Sequence, residues 1–275
     1  MSGIIAFFGD VHGAHDKMCD AIRKWNFDNK KKIALAVCAG DFEPVRNETD
    51  MKSVAVSQKN FKMGDFHAYA KGEKEFPCRV IFIGGNNEPY NFLDQMPDGG
   101  KVAENCYYLG RVGVTEEFGL RLGYLTGIFA PKTYEPGRPD IDWDDPEIHT
   151  RLKVKKKAGY FTKEEMRELM HDDPIDILLL HDWPTGLAAK ADKDSTEGKP
   201  RFTVGNKPAR YLMEIKKPRW LFCGHIHHYY HGRITWNENK TTTFTCLDRI
   251  PKADGPFMAV LEKDSEGNWQ IQIVR

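Results

Sequence analysis

Continuous runs of aliphatic, β-branched and aromatic residues recur at 3–8, 33–38, 80–83, 175–180 and 219–223, each followed by glycine or a polar loop. Unbroken apolar runs of this length predict strands buried on both faces, as in a sheet covered by helices. Helical spacing fills the intervals between them. Met18, Ile22 and Trp25 share one face of a helix over 15–25, and Thr162-x-x-Glu165 reads as a capping box ahead of Met166, Leu169 and Met170. Asn206 is placed to cap a helix over 207–215, with Pro208 in its first turn. These methionine and aromatic stripes read as core packing. The segments 107–126, 232–247 and 257–274 alternate instead, with turn residues at Glu117–Gly119, Asn237–Asn239 and Ser265–Gly267, and predict antiparallel hairpins. The sum is an α/β fold with added antiparallel strands. Without repeats or a Pro/Ser-rich linker, the chain reads as a single domain over 1–275.

One stretch resists this reading. Residues 130–160 carry Pro131, Pro136, Pro139 and Pro146, then the acidic cluster Asp140, Asp142, Asp144, Asp145 and Glu147, then the basic run RLKVKKK at 151–157. We expect a long surface loop, either a solvated charge run or a substrate-recognition insertion.

Composition narrows the class. Forty Lys+Arg balance forty Asp+Glu in 275 residues, and no apolar run approaches the twenty residues of a membrane span. Net charge of zero excludes a protein that coats nucleic acid through charge alone, so any nucleic-acid role must be local. The six cysteines (19, 38, 78, 106, 223 and 246) are scattered without a CxxC pair and read as free thiols of a reducing compartment. The N-terminus lacks the basic region of a signal peptide, so the expected location is the cytoplasm, or the nucleus in a eukaryote. Nothing in the pattern points to an obligate protein partner.

Candidate chemistry sits where the apolar runs end. Gly9-Asp10-Val11-His12-Gly13, Gly40-Asp41-Phe42-Glu43, Gly84-Gly85-Asn86-Asn87-Glu88, His181-Asp182 and Gly224-His225-Ile226-His227-His228 each follow such a run. In an open α/β sheet the carboxyl ends of the strands lie along one edge, so these side chains can converge on one crevice. A mixed N/O donor set without cysteine suits Mn, Fe or Zn in an open site rather than a closed structural zinc site. Taken singly, a D-x-H or H-x-H pair is equally well a cap or a hydrogen-bonded buried histidine.

Together, the five blocks in this order resemble the signature of the calcineurin-like metallophosphoesterases: GD-x-H-G, GD, GN-H-E, H and GH-x-H. The resemblance implies an α-β-β-α sandwich with mixed sheets and a pair of divalent metal ions. It makes Asp10, His12 and His227 ligands of one ion, Asn86, His181 and His225 ligands of the other, and Asp41 their bridge. Asp182, next to one of these positions, either orients an imidazole or serves as a cap or salt-bridge partner. The departure is Asn87, which stands where the family has the histidine expected to protonate the leaving oxygen or stabilise the transition state. An amide can hydrogen-bond but cannot act as an acid. Either the substitution was introduced to slow turnover, or the chain is a natural variant with weak or redirected chemistry. Survival of all seven ligand positions favours the first.

Longer stretches resemble one branch, the RNA lariat debranching enzymes: AGDFEPVRNETD at 39–50, IFIGGNNEPYNFLDQMPDGGKVAENCYYLG at 81–110, TGIFAPKTYEPG at 126–137, LLLHDWPTGL at 178–187 and FTCLDRIP at 244–251. The resemblance covers roughly 3–251 and implies hydrolysis of a 2′-5′ phosphodiester in branched RNA. Basic residues from Arg151 to Lys157, Lys155 and Lys156 among them, would then meet flanking phosphates, and Tyr90, Tyr134 or Tyr160 would stack on bases. Arg46 and Trp183 join the candidate substrate contacts, against plainer readings as a salt bridge and a packed turn. Eukaryotic members generally have cysteine at the position of Asp10, and they continue into a longer C-terminal region. These differences suggest a distant relative whose substrate need not be a lariat. The alternatives are a metallophosphoesterase for another phosphodiester or a phosphomonoester, and a non-catalytic RNA- or protein-binding relative. A protein phosphatase is disfavoured, because no Asp-Arg-Gly follows the GDF block.

Overall fold

The computed structural model describes residues 3–56, 61–171, 173–187, 204–250 and 252–274. Among the described residues thirteen strands form: β1 Ile5–Phe8, β2 Leu35–Cys38, β3 Arg79–Phe82, β4 Gly100–Ala103, β5 Cys106–Tyr108, β6 Val112–Glu117, β7 Leu120–Leu125, β8 Ile177–Leu180, β9 Trp220–Cys223, β10 Tyr230–Asn237, β11 Lys240–Cys246, β12 Met258–Lys263 and β13 Trp269–Val274. All five apolar runs are strands, and the three alternating segments form the hairpins β6–β7, β10–β11 and β12–β13.

The strands build two mixed sheets, ordered β13-β12-β1-β2-β3-β5-β4 and β10-β11-β9-β8-β7-β6. Alternation within a strand sorts the core into layers, because successive side chains leave opposite faces. Ala6 and Phe8 of β1 pack outward with Met18, Ile22 and Trp25 of the helix His15–Asn29. Ile5 and Phe7 point inward to the second sheet, where Phe7 stacks on Phe222 with ring centroids 3.7 Å apart. Beyond that sheet, Leu178, Leu180 and Leu221 pack with Met166 and Leu169 of the helix Lys163–His171 and with Leu212 and Met213 of the helix Lys207–Lys216. Helix, sheet, sheet and helix thus follow in order, which is the expected α-β-β-α sandwich.

Both predicted caps form. Thr162 and Glu165 bond reciprocally through side chain and backbone amide, and Asn206 Oδ1 accepts from the Ala209 amide at 2.7 Å. The 130–160 stretch corrects the expectation of a loop. It contains the short helix Pro131–Tyr134, a 3₁₀ turn at Ile148–Thr150 and the helix Leu152–Ala158, so the basic run is helical. No helix among the described residues is long and apolar enough to cross a membrane.

Candidate metal centre

Parallel register brings the polar blocks to one edge. Phe8, Cys38 and Phe82 are level across β1, β2 and β3, as are Leu179 and Phe222 across β8 and β9. The residues just beyond these ends therefore emerge side by side, with the two sheets facing each other. The backbone is unusual at this crest. His12, Asp41, His225 and His227 have φ of 46°, 45°, 67° and 53°, the left-handed region that costs a non-glycine residue about 1 kcal/mol or more. Two glycines allow the carboxylates to rest directly on backbone. A Cβ on Gly224 would lie 2.0 Å from Asp10 Oδ1, and one on Gly85 would lie 2.2 Å from Asp41 Oδ1.

The first half of the site gathers Asp10, His12, Asp41 and His227, whose ligand atoms lie within 4.8 Å of one another. His227 Nε2 is 2.9 Å from Asp10 Oδ2 and 2.8 Å from His12 Nε2, and His12 Nε2 is 3.8 Å from Asp41 Oδ2. Asp10 is fully buried; its Oδ1 accepts from the His225 amide at 2.8 Å, while Oδ2 faces the ring nitrogens of His227 at 2.9 Å and His12 at 3.6 Å. Burial opposes ionisation of Asp10, but its contacts with His12 and His227 and the nearby His181 outweigh it and hold the carboxyl well below the usual range. Burial likewise disfavours the charged His12 ring, yet Asp10, Glu43 and Asp41 raise its pKa well above the ordinary value.

The second half joins Asn86, His181 and Asp41. His181 Nδ1 lies 2.7 Å from the Ala39 carbonyl, so the neutral ring keeps its proton there and leaves Nε2 as an acceptor. That Nε2 faces Asn86 Oδ1 at 3.3 Å and Asp41 Oδ1 at 3.4 Å. The His225 ring stands beside that of His181, centroids 5.0 Å apart, and outside the tight cluster of the first half. Burial and the neighbouring His181 lower its pKa, which favours the neutral form a metal ligand needs.

These donors fit a pair of cations. Imidazole nitrogens of His12 and His227 only 2.8 Å apart, converging with buried carboxylate oxygens, form a set that positive charge satisfies. Asp41 offers one oxygen to each half, as a bridge requires.

Several supporting groups carry no ligand signature in the sequence. Glu43 Oε1 lies 2.8 Å from His12 Nδ1 and fixes that ring. Glu88 accepts from the Phe42, Glu43 and Gly85 amides, tying the second and third loops together. Burial, with the charge of Asp41, pushes the Glu88 carboxyl well up. Asn87 donates to both oxygens of Asp41, from its amide N and from Nδ2, each at 2.8 Å. Arg249 Nη1 lies 3.2 Å from His227 Nδ1. Glu43 and Glu88 stand inside the polar blocks, and Asp248-Arg249 follows β11; the strand-end rule reaches all three once side-chain partners are known. Asp182 turns away from the imidazoles, accepting from Phe129, Trp183 and Asn206.

The expected substrate contacts need correction. Tyr90 is 1% exposed, lies under the Arg111 guanidinium and donates its hydroxyl to the Gly85 carbonyl. Trp183 is 3% exposed and donates Nε1 to the Gly224 carbonyl; Lys155 is 2% exposed and donates Nζ to the Lys52 carbonyl at 2.7 Å. All three therefore support the scaffold rather than a surface. Arg46 is held by a forked contact to Asp50 and lies over the Phe92 ring. Tyr134 is half-buried against Phe129 and Phe161, with its hydroxyl on the Met166 sulfur. Tyr160 is half-buried as well, and Arg151 pairs with Glu147. Lys156 and Lys157 remain exposed on a helix that leads to Gly159, where a Cβ would lie 2.9 Å from Asn86 Cα.

Residues 4–229 match the calcineurin-like phosphoesterase family. The chain is 34% identical to a lariat debranching enzyme of Arabidopsis thaliana over 274 residues, covering 95% of this chain and 63% of that one. It is 34% identical to a lariat debranching enzyme of Danio rerio and 32% identical to one of Homo sapiens, covering 94% of this chain each time and 47% and 49% of theirs. It thus spans about half to two thirds of the length of these curated relatives. One solved structure superposes over the whole of both chains with a TM-score of 0.55 at 10% identity, a likeness of fold alone.

Proposed function

The chain belongs to the calcineurin-like phosphoesterase family, and from that premise we propose that it is a two-metal phosphodiesterase that hydrolyses the 2′-5′ linkage of branched RNA. The observation that carries the reading is the inward-facing acceptor set divided between two halves by Asp41. Asp10, His12 and His227 would hold one cation, Asn86, His181 and His225 the other, and Asp41 both. Divalent ions such as Mn, Fe or Zn, when bound, make hydroxide available near neutral pH and offset charge on phosphoryl oxygens.

The chain's own residues position those groups. Glu43 and the Ala39 carbonyl fix the His12 and His181 rings, and Asn87 anchors both oxygens of Asp41. That double anchor leaves the leaving oxygen without an acid at this position, so turnover runs about 10²–10⁴-fold below that of a histidine-bearing site. The names of the relatives supply the branched substrate. Lys156 and Lys157, on the helix that runs into Gly159 beside Asn86, suit the phosphates of a branched or single-stranded RNA. The six free thiols, five of them buried, fit a reducing compartment, the cytoplasm or a nucleus.

The test is Asn87→His. Loaded with manganese, the variant should cleave a synthetic 2′-5′ branched RNA about a hundredfold or more faster than the parent chain, and faster than a linear 3′-5′ strand. Equal rates on the two RNAs would exclude debranching in favour of a general phosphoesterase. RNA binding without any gain in rate would assign the chain to the non-catalytic relatives.

A further inference from the structure

Arg249 stands at the edge of the metal centre with a charge that no described carboxylate neutralises. It follows β11, whose last residue Cys246 is level with Cys223 of β9, and this places it across from the His225–His227 turn. The adjacent carboxylate, Asp248, is engaged by the backbone amides of Arg249, Asp254 and Gly255. Arg249 Nε is buried with no hydrogen-bond partner, and its side-chain contact is Nη1 to His227 Nδ1 at 3.2 Å. A buried guanidinium N–H without an acceptor is unfavourable until an acceptor arrives.

The contact with His227 is also conditional. Nδ1 can accept from Arg249 only while Nε2, which faces Asp10, carries the ring proton. An imidazole that presents Nε2 to a cation keeps its proton on Nδ1, and Nδ1 then faces Nη1 donor to donor. With a cation at Nε2, His227 would offer Arg249 no acceptor, and its rigid fork of donors would face the cation site.

We propose that Arg249 is a substrate-binding residue whose Nε and terminal nitrogens grip the non-bridging oxygens of the phosphodiester held at the metal centre. A planar fork matches two phosphate oxygens at once, and the unpartnered Nε is the donor that such a grip satisfies. The identity of the substrate as a phosphodiester rests on the function proposed above; the anion site itself does not.

The experiment compares the parent chain with Arg249→Lys and Arg249→Met. Manganese affinity is measured first by electron paramagnetic resonance, and the manganese-saturated proteins are then titrated with inorganic phosphate by calorimetry. Manganese affinity should not fall in either variant, because a bound cation and the Arg249 contact compete for the His227 ring. The phosphate Kd should rise about tenfold or more in Arg249→Met and by less in Arg249→Lys, which keeps the charge without the fork. KM for bis(p-nitrophenyl) phosphate should rise in the same order. Weaker manganese binding with an unchanged phosphate Kd at saturation would make Arg249 a prop for His227 and overturn the proposal, as would an unchanged Kd alone. The expected phosphate result, together with an Asn87→His protein that ignores branched RNA, would leave the anion site standing and remove only the debranching reading.

Discussion

The strand-end crest and the 130–160 excursion are both dense in charge, and they treat it in opposite ways. At the crest, Asp10, Asp41 and His181 are withdrawn from water and turned toward one another, so buried acceptors face each other across the site, with His181 Nε2 and Asp41 Oδ1 3.4 Å apart. In the excursion, Asp142 and Asp145 cap nearby amides of their own turns, and Arg138 forms a forked pair with Glu165. Charge left in water or matched within the chain needs no further partner. Charge that is buried and unmatched marks the place where something else must bind.

The strongest way to break this contrast is Asp41→Asn, which keeps the shape and removes the shared negative charge. We expect manganese binding to fall from two ions to at most one, with phosphodiesterase activity down about a thousandfold, equivalent to some 4 kcal/mol of lost stabilisation. Calorimetry that still finds two ions at parental affinity would mean that the crest is not a dinuclear centre.

Next in size is Glu43→Gln. It loosens the ring that Glu43 orients, and a tenfold to hundredfold loss of metal affinity is the usual scale for such a partner. The pH dependence sharpens this test. In the metal-free protein the raised pKa of His12 keeps a proton where the ion must go. Manganese affinity of the parent should therefore climb as pH rises through that raised value, with protons released on binding. The variant lacks one of the groups that raise it, so its climb should begin at lower pH. A manganese titration in two buffers of different ionisation enthalpy counts the protons directly.

The smallest effect belongs to the excursion. Burial disfavours the Glu165 carboxylate, but Arg138 outweighs burial and holds its pKa below the ordinary 4.5. A carboxyl lowered in the folded state adds stability that is present above its unfolded value and is lost as pH falls through the folded one. Glu165→Gln should thus cost about 2 kcal/mol near neutral pH and progressively less in acid, read from denaturant melts, while leaving manganese affinity alone. A loss of manganese affinity would show that the two regions are coupled.

The difference in legibility between the regions has the same physical origin. Strands buried on both faces appear in a sequence as unbroken apolar runs, and the polar residues that end them can only emerge on one edge. Asp10, Asp41, Asn86, His181, His225 and His227 were readable for that reason. Long side chains of the excursion and its neighbours are placed by packing that leaves no periodic trace. Lys155 shares an inward helical face with Ala158 and buries its stem beneath Lys52, although Lys153, Lys156 and Lys157 around it face water. Tyr90 and Trp183 look like surface aromatics only until Gly85 and Gly224 are seen to accept their polar ends.

The left-handed backbone at His12, Asp41, His225 and His227 bears on how such a chain can change over time. At each of these positions glycine would relieve local strain, so selection for stability alone favours replacing the residue present. With Glu43, whose φ is 55°, five such residues stand together at one crest, a standing debt of fold to function. In a lineage released from the chemistry, erosion should begin at these turns, well before it reaches the apolar strands that carry them.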